Sequence, residues 1–186
     1  AVNGREQSRQ GNRDPGAAPH GVFPCTGEDR WIAIGCFSDA HWEGLQRTIA
    51  PDGSGWPYNP DFTTLLGRKA KEDELERLLS DWTCSWEPGA LMETLQSSGV
   101  PAGMVNDCRD LFDDAQLQHR GHFQWLDHPE IGPYATDASE MHLSLSPGSL
   151  DIPAPLLGEH TAHVLKDLIG LSDDEYKSLE EDGVLE

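Results

Sequence analysis

Histidines and carboxylates are the residues of this chain whose types and spacing could bind a metal or transfer protons. Among eight histidines, His119, His122 and His128 lie close together in the sequence, and His160 lies three residues before His163. Neither group has the His-Glu-x-x-His pattern of zinc hydrolases, and no cysteine or carboxylate has a convincing ligand spacing to either. We therefore predict that the protein has no metal site.

Nucleophilic catalysis by serine would need a hydroxyl presented at a sharp turn between a strand and a helix. Ser54, between Gly53 and Gly55, lies in a predicted loop without such a turn. The sequence contains no glycine-rich phosphate-binding motif, and its many carboxylates single out no nucleophile. The residues alone predict a soluble α+β domain with no self-contained active site.

The charge of the chain restricts its partners. The 33 acidic and 13 basic residues give a net charge of −20 at pH 7, which repels nucleic acid and anionic membranes. No segment resembles a signal peptide, and no apolar run approaches the length of a membrane span. We predict a cytoplasmic protein that binds neither nucleic acid nor membrane.

The cysteines are scattered and form no Cys-x-x-Cys pair, which argues against a zinc ribbon. Cys25 and Cys36 flank a predicted hairpin with a turn at residues 27–30. That turn would pair Cys25 with Ile32 and Cys36 with Gly21, so the two sulfurs would lie apart. Reduced, buried thiols are expected in a cytoplasmic protein.

Local patterns predict a mixed set of helices and strands. Apolar residues 22–25 and 31–36 predict the hairpin, with Pro24 at an edge, and Ser38 should cap the helix that follows. Apolar spacing predicts further helices over residues 61–66, 71–82, 88–96, 107–111, 113–118, 159–169 and 172–182. Short strands are expected over residues 100–105, 123–126 and 142–145. The resulting fold class is α+β.

Several separated segments, taken in order, resemble the CoA-transferases of family III, the CaiB–BaiF group. One of them is the stretch PLLGEHT at residues 155–161, which opens the predicted helix near the end of the chain. The others are GNR at 11–13, APHGVFPC at 18–25, WIAI at 31–34, LQSSGVPAG at 95–103, DLFDDAQLQHRG at 110–121 and LIGLS at 168–172. Together they cover essentially the full chain.

The resemblance implies the C-terminal part of a longer enzyme, in agreement with a first residue that is Ala1 and not methionine. Residues 1–16 would be an arm from the N-terminal half, 17–120 the smaller domain of the family, and 121–186 the return to a large Rossmann-like domain. The full-length family would then be α/β. Arg5, Arg9 and Arg13 of the arm are expected to form a solvated face rather than a phosphate site.

The function implied by the resemblance is transfer of CoA from an acyl-CoA donor to a carboxylate acceptor. An Asp forms an anhydride and then a thioester with CoA, and it belongs to the N-terminal half, upstream of Ala1. The chain would therefore hold no catalytic residue, be inactive alone, and use a CoA thioester as substrate with no tightly bound cofactor. Its partners would be the N-terminal half and a second subunit.

Residues 12–21 are the candidate active-site-facing loop, with Asn12, Pro19, His20 and Gly21 as the positions to test. Formyl-CoA transferases of the family carry a run of glycines just before the position of Pro19, whereas residues 13–18 here read RDPGAA. This difference does not favour formyl or oxalyl specificity. A structural turn that leads into the hairpin is the alternative for this loop.

Two other functions fit the same sequence. Acyl-CoA racemases share these C-terminal motifs and use acid–base residues, which would also come from the N-terminal half. A non-catalytic, acidic interaction module descended from the enzyme is the alternative from another class.

Overall fold

The computed structural model describes Gly4 and residues 9–185. Those residues form two compact units that divide after Asp107. The predicted arginine face of the N-terminal arm lies partly outside the described residues, since Arg5 is not among them.

The first unit contains a three-stranded antiparallel sheet. Its strands are β1 (His20–Pro24), β2 (Trp31–Gly35) and β3 (Ala102–Val105), in the order β1-β2-β3. The predicted hairpin is confirmed, and Pro24 lies on an edge strand as expected.

The predicted register of the hairpin is wrong by two residues. Phe23 pairs with Ile32, and the Cys25 N–H donates to the Arg30 carbonyl at 2.8 Å, so Cys25 lies opposite Arg30 and not Ile32. The turn closes early because Gly27 and Asp29 adopt positive φ angles of 109° and 52°.

Four helices of the first unit follow the hairpin. The Ser38 hydroxyl accepts the His41 N–H at 3.2 Å, which confirms the predicted cap. The helix predicted over residues 61–66 is instead a short 3₁₀ turn followed by a new helix, because the Thr64 hydroxyl accepts the Gly67 N–H and starts the next helix. The helices are α1 (Asp39–Ile49), α2 (Leu65–Ala70), α3 (Glu72–Thr83) and α4 (Pro88–Ser97), with 3₁₀ turns at Trp56–Tyr58 and Pro60–Phe62.

One face of the sheet builds the core of the first unit. Phe23, Ile32 and Ile34 are buried among the apolar sides of the helices. Because side chains alternate along a strand, the neighbouring residues Val22 and Ala33 point to the opposite face. The helical residues of the core are Trp42, Leu45, Leu75, Leu79, Leu91 and Leu95.

The second unit consists of short helices and a two-stranded sheet. The strand predicted over 142–145 is wrong, since those residues form no strand and residues 123–128 pair instead with residues 132–137, across a turn at Gly132 (φ 73°). The predicted capping box of Ser172 and Glu175 is confirmed. Its elements are α5 (Cys108–Asp113), α6 (Ala115–His119), β4 (Phe123–His128), β5 (Gly132–Asp137), a π-helix (His163–Leu168) and α7 (Asp173–Glu181).

Burial differs sharply between the two units. No described residue of the second unit is buried, and apolar side chains such as Leu145 and Leu157 are fully exposed. Among the helices of the described ranges, none has the length and apolar character needed to cross a membrane.

All four cysteines are free thiols, as predicted, but only Cys25 and Cys36 are buried. Burial raises the pKa of Cys36 to about 12, although the Arg68 guanidinium nearby lowers it. In the unfolded chain the same thiol ionises near pH 8.5–9. A raised folded-state pKa contributes stability below that range, and the contribution is lost as pH rises toward 12.

We therefore expect alkaline pH to destabilise the wild-type protein more than a Cys36→Ala variant. Between pH 8 and pH 10 the extra loss should be about 1.4–1.9 kcal/mol, since one thiol ionises only in the unfolded state. Urea unfolding at the two pH values measures it. Cys84→Ala, at an exposed thiol, is the control, and its free energy of unfolding should fall as much as that of the wild type. Equal losses in the wild type and Cys36→Ala would contradict the prediction.

Candidate functional site

The uncovered face of the three-stranded sheet forms an open groove of about 540 Å³. Its volume is in the range of small-molecule sites, and its lining is mainly apolar with two polar side chains. The lining residues are Gly11, Asn12, His20, Gly21, Val22, Ala33, Ile34, Gly35, Phe37, Pro101, Ala102 and Gly103.

Small residues on adjacent strands create the floor of the groove. Ala33 lies between Val22 of β1 and Gly103 of β3, and Gly35 lies beside His20. A Cβ atom added to Gly103 would meet no atom within 4 Å, whereas one added to Gly35 would come within 2.8 Å of the Phe37 ring. The groove is therefore open above Gly103 and closed by an aromatic wall at Gly35.

His20 is held in one orientation at this wall. Its Nδ1 hydrogen-bonds to the Asn12 carbonyl oxygen, and its ring packs edge-on against Phe37 with ring centroids 5.3 Å apart. A carbonyl oxygen can only accept, so Nδ1 carries the proton in this contact. In the tautomer that carries one proton, on Nδ1, the lone pair is on Nε2.

The segment that leads into β1 is held by a buried arginine. Arg68 is 1% exposed, and its Nε donates to the Ala18 carbonyl at 2.7 Å. Its Nη1 donates to the carbonyls of Phe62 and Thr63 at 3.1 and 3.3 Å, and its Cζ lies 5.0 Å from the centroid of the Trp42 ring. Burial lowers the pKa of Arg68. These contacts fix the backbone two residues before His20.

Two further cations anchor the same segment to helices α2 and α3. The Lys69 ammonium donates to the Asp14 carbonyl at 3.0 Å and to the Glu72 carboxylate at 2.6 Å. The Arg13 guanidinium donates to Glu76 at 2.6 Å, and these acidic partners raise the pKa of Arg13. Arg13 is thus paired within the chain.

The structure brings three of the four predicted site residues together. Asn12, His20 and Gly21 line the groove. Pro19 is fully buried, follows a cis peptide bond from Ala18, and accepts the Cys36 N–H on its carbonyl at 2.8 Å. Whether any of the four contacts a substrate stays a prediction.

Sequence reasoning missed the roles of Phe37, Gly103 and Arg68. The alternation of Ala33 and Gly35 with larger residues in one strand could have indicated a face of small side chains. No local pattern indicated that Arg68 would be buried, because its partners are carbonyls from two separate segments, the one before β1 and a 3₁₀ turn before α2.

The lining of the groove contains no charged side chain. It therefore suits an uncharged part of a ligand and offers no counter-ion for a phosphate or carboxylate. Nor do three His, Cys, Asp or Glu side chains of the described residues converge in a way that could hold a metal ion.

Sequence comparison identifies the class of protein to which this fold and groove belong. The family model of CoA-transferase family III matches residues 1–161. The chain belongs to CoA-transferase family III, which the resemblance of its separated motifs had predicted.

Individual relatives agree with the family. The chain is 27% identical over 179 residues to a succinyl-CoA–D-citramalate CoA-transferase of Chloroflexus aurantiacus, covering 96% of this chain and 44% of the relative. It is 30% identical over 178 residues to a formyl-CoA:oxalate CoA-transferase of Rhodopseudomonas palustris, covering 94% and 41%.

A solved structure shows the same fold. The crystal structure of a CAIB/BAIF family protein from Brucella suis matches with a TM-score of 0.73 at 28% identity, over 90% of this chain and 42% of that chain. The chain thus spans about two fifths of the length of the relatives that it matches.

Proposed function

We propose that this chain is the C-terminal part of an acyl-CoA:carboxylate CoA-transferase. The match of residues 1–161 to CoA-transferase family III is the observation that carries the proposal. In the overall reaction one acyl–sulfur bond is broken and another is formed, with the donor acid released as a carboxylate. No oxidant or reductant is needed.

The groove supports a role in holding the uncharged portion of the thioester substrate. Its floor of Ala33 and Gly103 and its wall of Phe37 are apolar, and it contains no cation for the CoA phosphates. The phosphate contacts and the Asp that carries the acyl group would come from the N-terminal half of the same protein. We further propose that the full protein is a cytoplasmic homodimer.

Turnover by two preparations tests the proposal. Succinyl-CoA is incubated with oxalate, malate or citramalate, and new CoA thioesters are detected by mass spectrometry. The native full-length polypeptide, captured from its source cells, is expected to form one of them, whereas the isolated chain is expected to form none. Turnover by the isolated chain would refute the assignment of the catalytic Asp to the N-terminal half.

The same preparations separate the transferase from its alternatives. Exchange of an α-proton of a branched acyl-CoA with deuterated water, without thioester transfer, would identify a racemase. A native polypeptide whose mass equals that of these 186 residues would contradict the transferase proposal and favour the interaction module.

A larger residue at Gly103 should block the groove without unfolding the protein. The Gly103→Val side chain would extend into open space, and a β-branched residue is favoured in a strand, so the free energy of unfolding should not fall. We expect the full-length protein with this change to bind acyl-CoA at least tenfold more weakly, as measured by calorimetry.

Gly148→Val is the matched control. An added Cβ at Gly148 also meets no atom within 4 Å, and this residue does not line the groove. It should leave binding unchanged. Equal binding by Gly103→Val and Gly148→Val would show that the groove is not part of the substrate site.

A further inference from the structure

The His20 imidazole has an unused hydrogen-bonding atom at the groove. Nδ1 is occupied by the Asn12 carbonyl, and across residues 9–185 no hydrogen-bond partner is found for Nε2. His20 is half-buried and lines the open groove, so that Nε2 is reached by solvent. His20 therefore presents a lone pair to whatever occupies the groove.

The surroundings of His20 restrict what this lone pair can bind. A neutral imidazole nitrogen accepts a proton and repels a carboxylate or phosphate, and the lining supplies no cation to compensate. A neutral donor, a hydroxyl or an amide N–H, is the group that fits. The direction of the lone pair is set by the Asn12 contact and by the edge-on packing against Phe37.

We propose that His20 is a specificity-determining residue that accepts a hydrogen bond from a neutral donor of the acyl-CoA substrate. The donor is a hydroxyl on the acyl group or an amide N–H of the pantetheine arm of CoA. This inference rests on the proposed function, since it takes an acyl-CoA as the ligand of the groove. A site built to bond a substrate hydroxyl rejects the analogue that lacks it, because its own polar group is then left unpaired.

Two variants separate the two nitrogens of the ring. The amide nitrogen of His20→Asn takes the position of Nδ1 and preserves the contact with the Asn12 carbonyl, but nothing replaces Nε2. The amide oxygen of His20→Gln reaches the position of Nε2 and keeps an acceptor there, but the contact with Asn12 is lost. If only the Asn12 contact matters, His20→Gln should bind the ligand more weakly than His20→Asn. If Nε2 accepts a hydrogen bond from the ligand, His20→Asn should bind it more weakly.

The experiment measures the binding of CoA ligands and does not depend on turnover. The ligands are 3-hydroxybutyryl-CoA, butyryl-CoA and CoA alone, titrated into the full-length protein by calorimetry, with the ¹⁵N resonance of His20 Nε2 followed by NMR. We expect the resonance to move upfield on binding, and affinity to fall about tenfold in His20→Asn but less in His20→Gln.

The three ligands identify the donor. A loss confined to 3-hydroxybutyryl-CoA assigns the acyl hydroxyl, and an equal loss for all three assigns a pantetheine amide; either supports the proposal. An Nε2 resonance that stays unchanged while a ligand binds, or a larger loss in His20→Gln than in His20→Asn, overturns it. If instead the proposed function is wrong, calorimetry detects no binding of any of the three ligands by the wild-type protein, which is a different outcome.

Discussion

Replacement of Arg68 with methionine is expected to destabilise the protein by about 3–5 kcal/mol, because each buried carbonyl that loses its donor costs about 1–3 kcal/mol. Methionine fills much of the arginine volume but donates no hydrogen bond. The carbonyls of Ala18, Phe62 and Thr63 would lose their charged donor, and the Trp42 ring would lose its cation. Urea unfolding followed by tryptophan fluorescence measures the change.

The same change at an exposed arginine provides the control. Arg77 pairs only with Asp81 on the surface of α3, where both side chains are about two-thirds exposed, so Arg77→Met should change the free energy of unfolding by less than about 1 kcal/mol. The ion pair of Arg68 with Asp39 is also weak, since the oxygen lies 3.7 Å away and Asp39 is 82% exposed. Similar values for Arg68→Met and Arg77→Met would show that water replaces the guanidinium at the three carbonyls.

Replacement of Gly67 with alanine is also expected to destabilise the protein strongly. Alanine normally stabilises a helix by about 1 kcal/mol relative to glycine. Here the added Cβ would lie 2.1 Å from the Asp61 carbonyl oxygen, a backbone atom that cannot move away alone. We expect Gly67→Ala to lower the free energy of unfolding by roughly 2–4 kcal/mol, because overpacking against backbone forces a segment to shift.

Gly89→Ala in helix α4 is the matched control for Gly67→Ala. Its added Cβ would meet only side-chain atoms, the Glu87 carboxylate that caps the helix at 3.2 Å and the Met104 sulfur at 3.4 Å, so the change should cost no more than about 1 kcal/mol in the same urea titration. If Gly67→Ala lowers the free energy of unfolding no more than Gly89→Ala, the turn before α2 can shift to accommodate the added Cβ at little cost.

The shift expected at Gly67 would also reach the groove. Asp61 precedes Phe62 and Thr63, whose carbonyls bind Arg68, and Arg68 in turn holds Ala18. The two substitutions act on one network and should not be additive in a double mutant.

Elements with local rules were predictable from the sequence. The Ser38 cap, the capping box at Ser172 and the helix end at Gly99 each depend on contacts within a few residues. Turn geometry was not predictable to the residue, and the positive φ of Asp29 moved the hairpin register by two. The sequence does not predict the strand that begins with Gly132 and Pro133, because proline disfavours most strand positions.

The groove was predictable only in part. Asn12, His20 and Gly21 were identified from the resemblance to a family, but the residues themselves contain no rule that brings β3 alongside β2. Gly103 reaches the floor of the groove only through sheet pairing between segments far apart in the chain. Arg68 likewise depends on carbonyls from different elements, a tertiary arrangement that no pattern of spacing encodes.

The contrast in burial between the two units has a calorimetric meaning. The heat capacity of unfolding arises mainly from apolar surface that becomes hydrated, and the described residues of the second unit are at most partly buried. Most of the increment should therefore come from the residues up to Asp107. At about 13 cal/mol/K per residue, those residues account for about 1.4 kcal/mol/K, and the second unit should add less per residue.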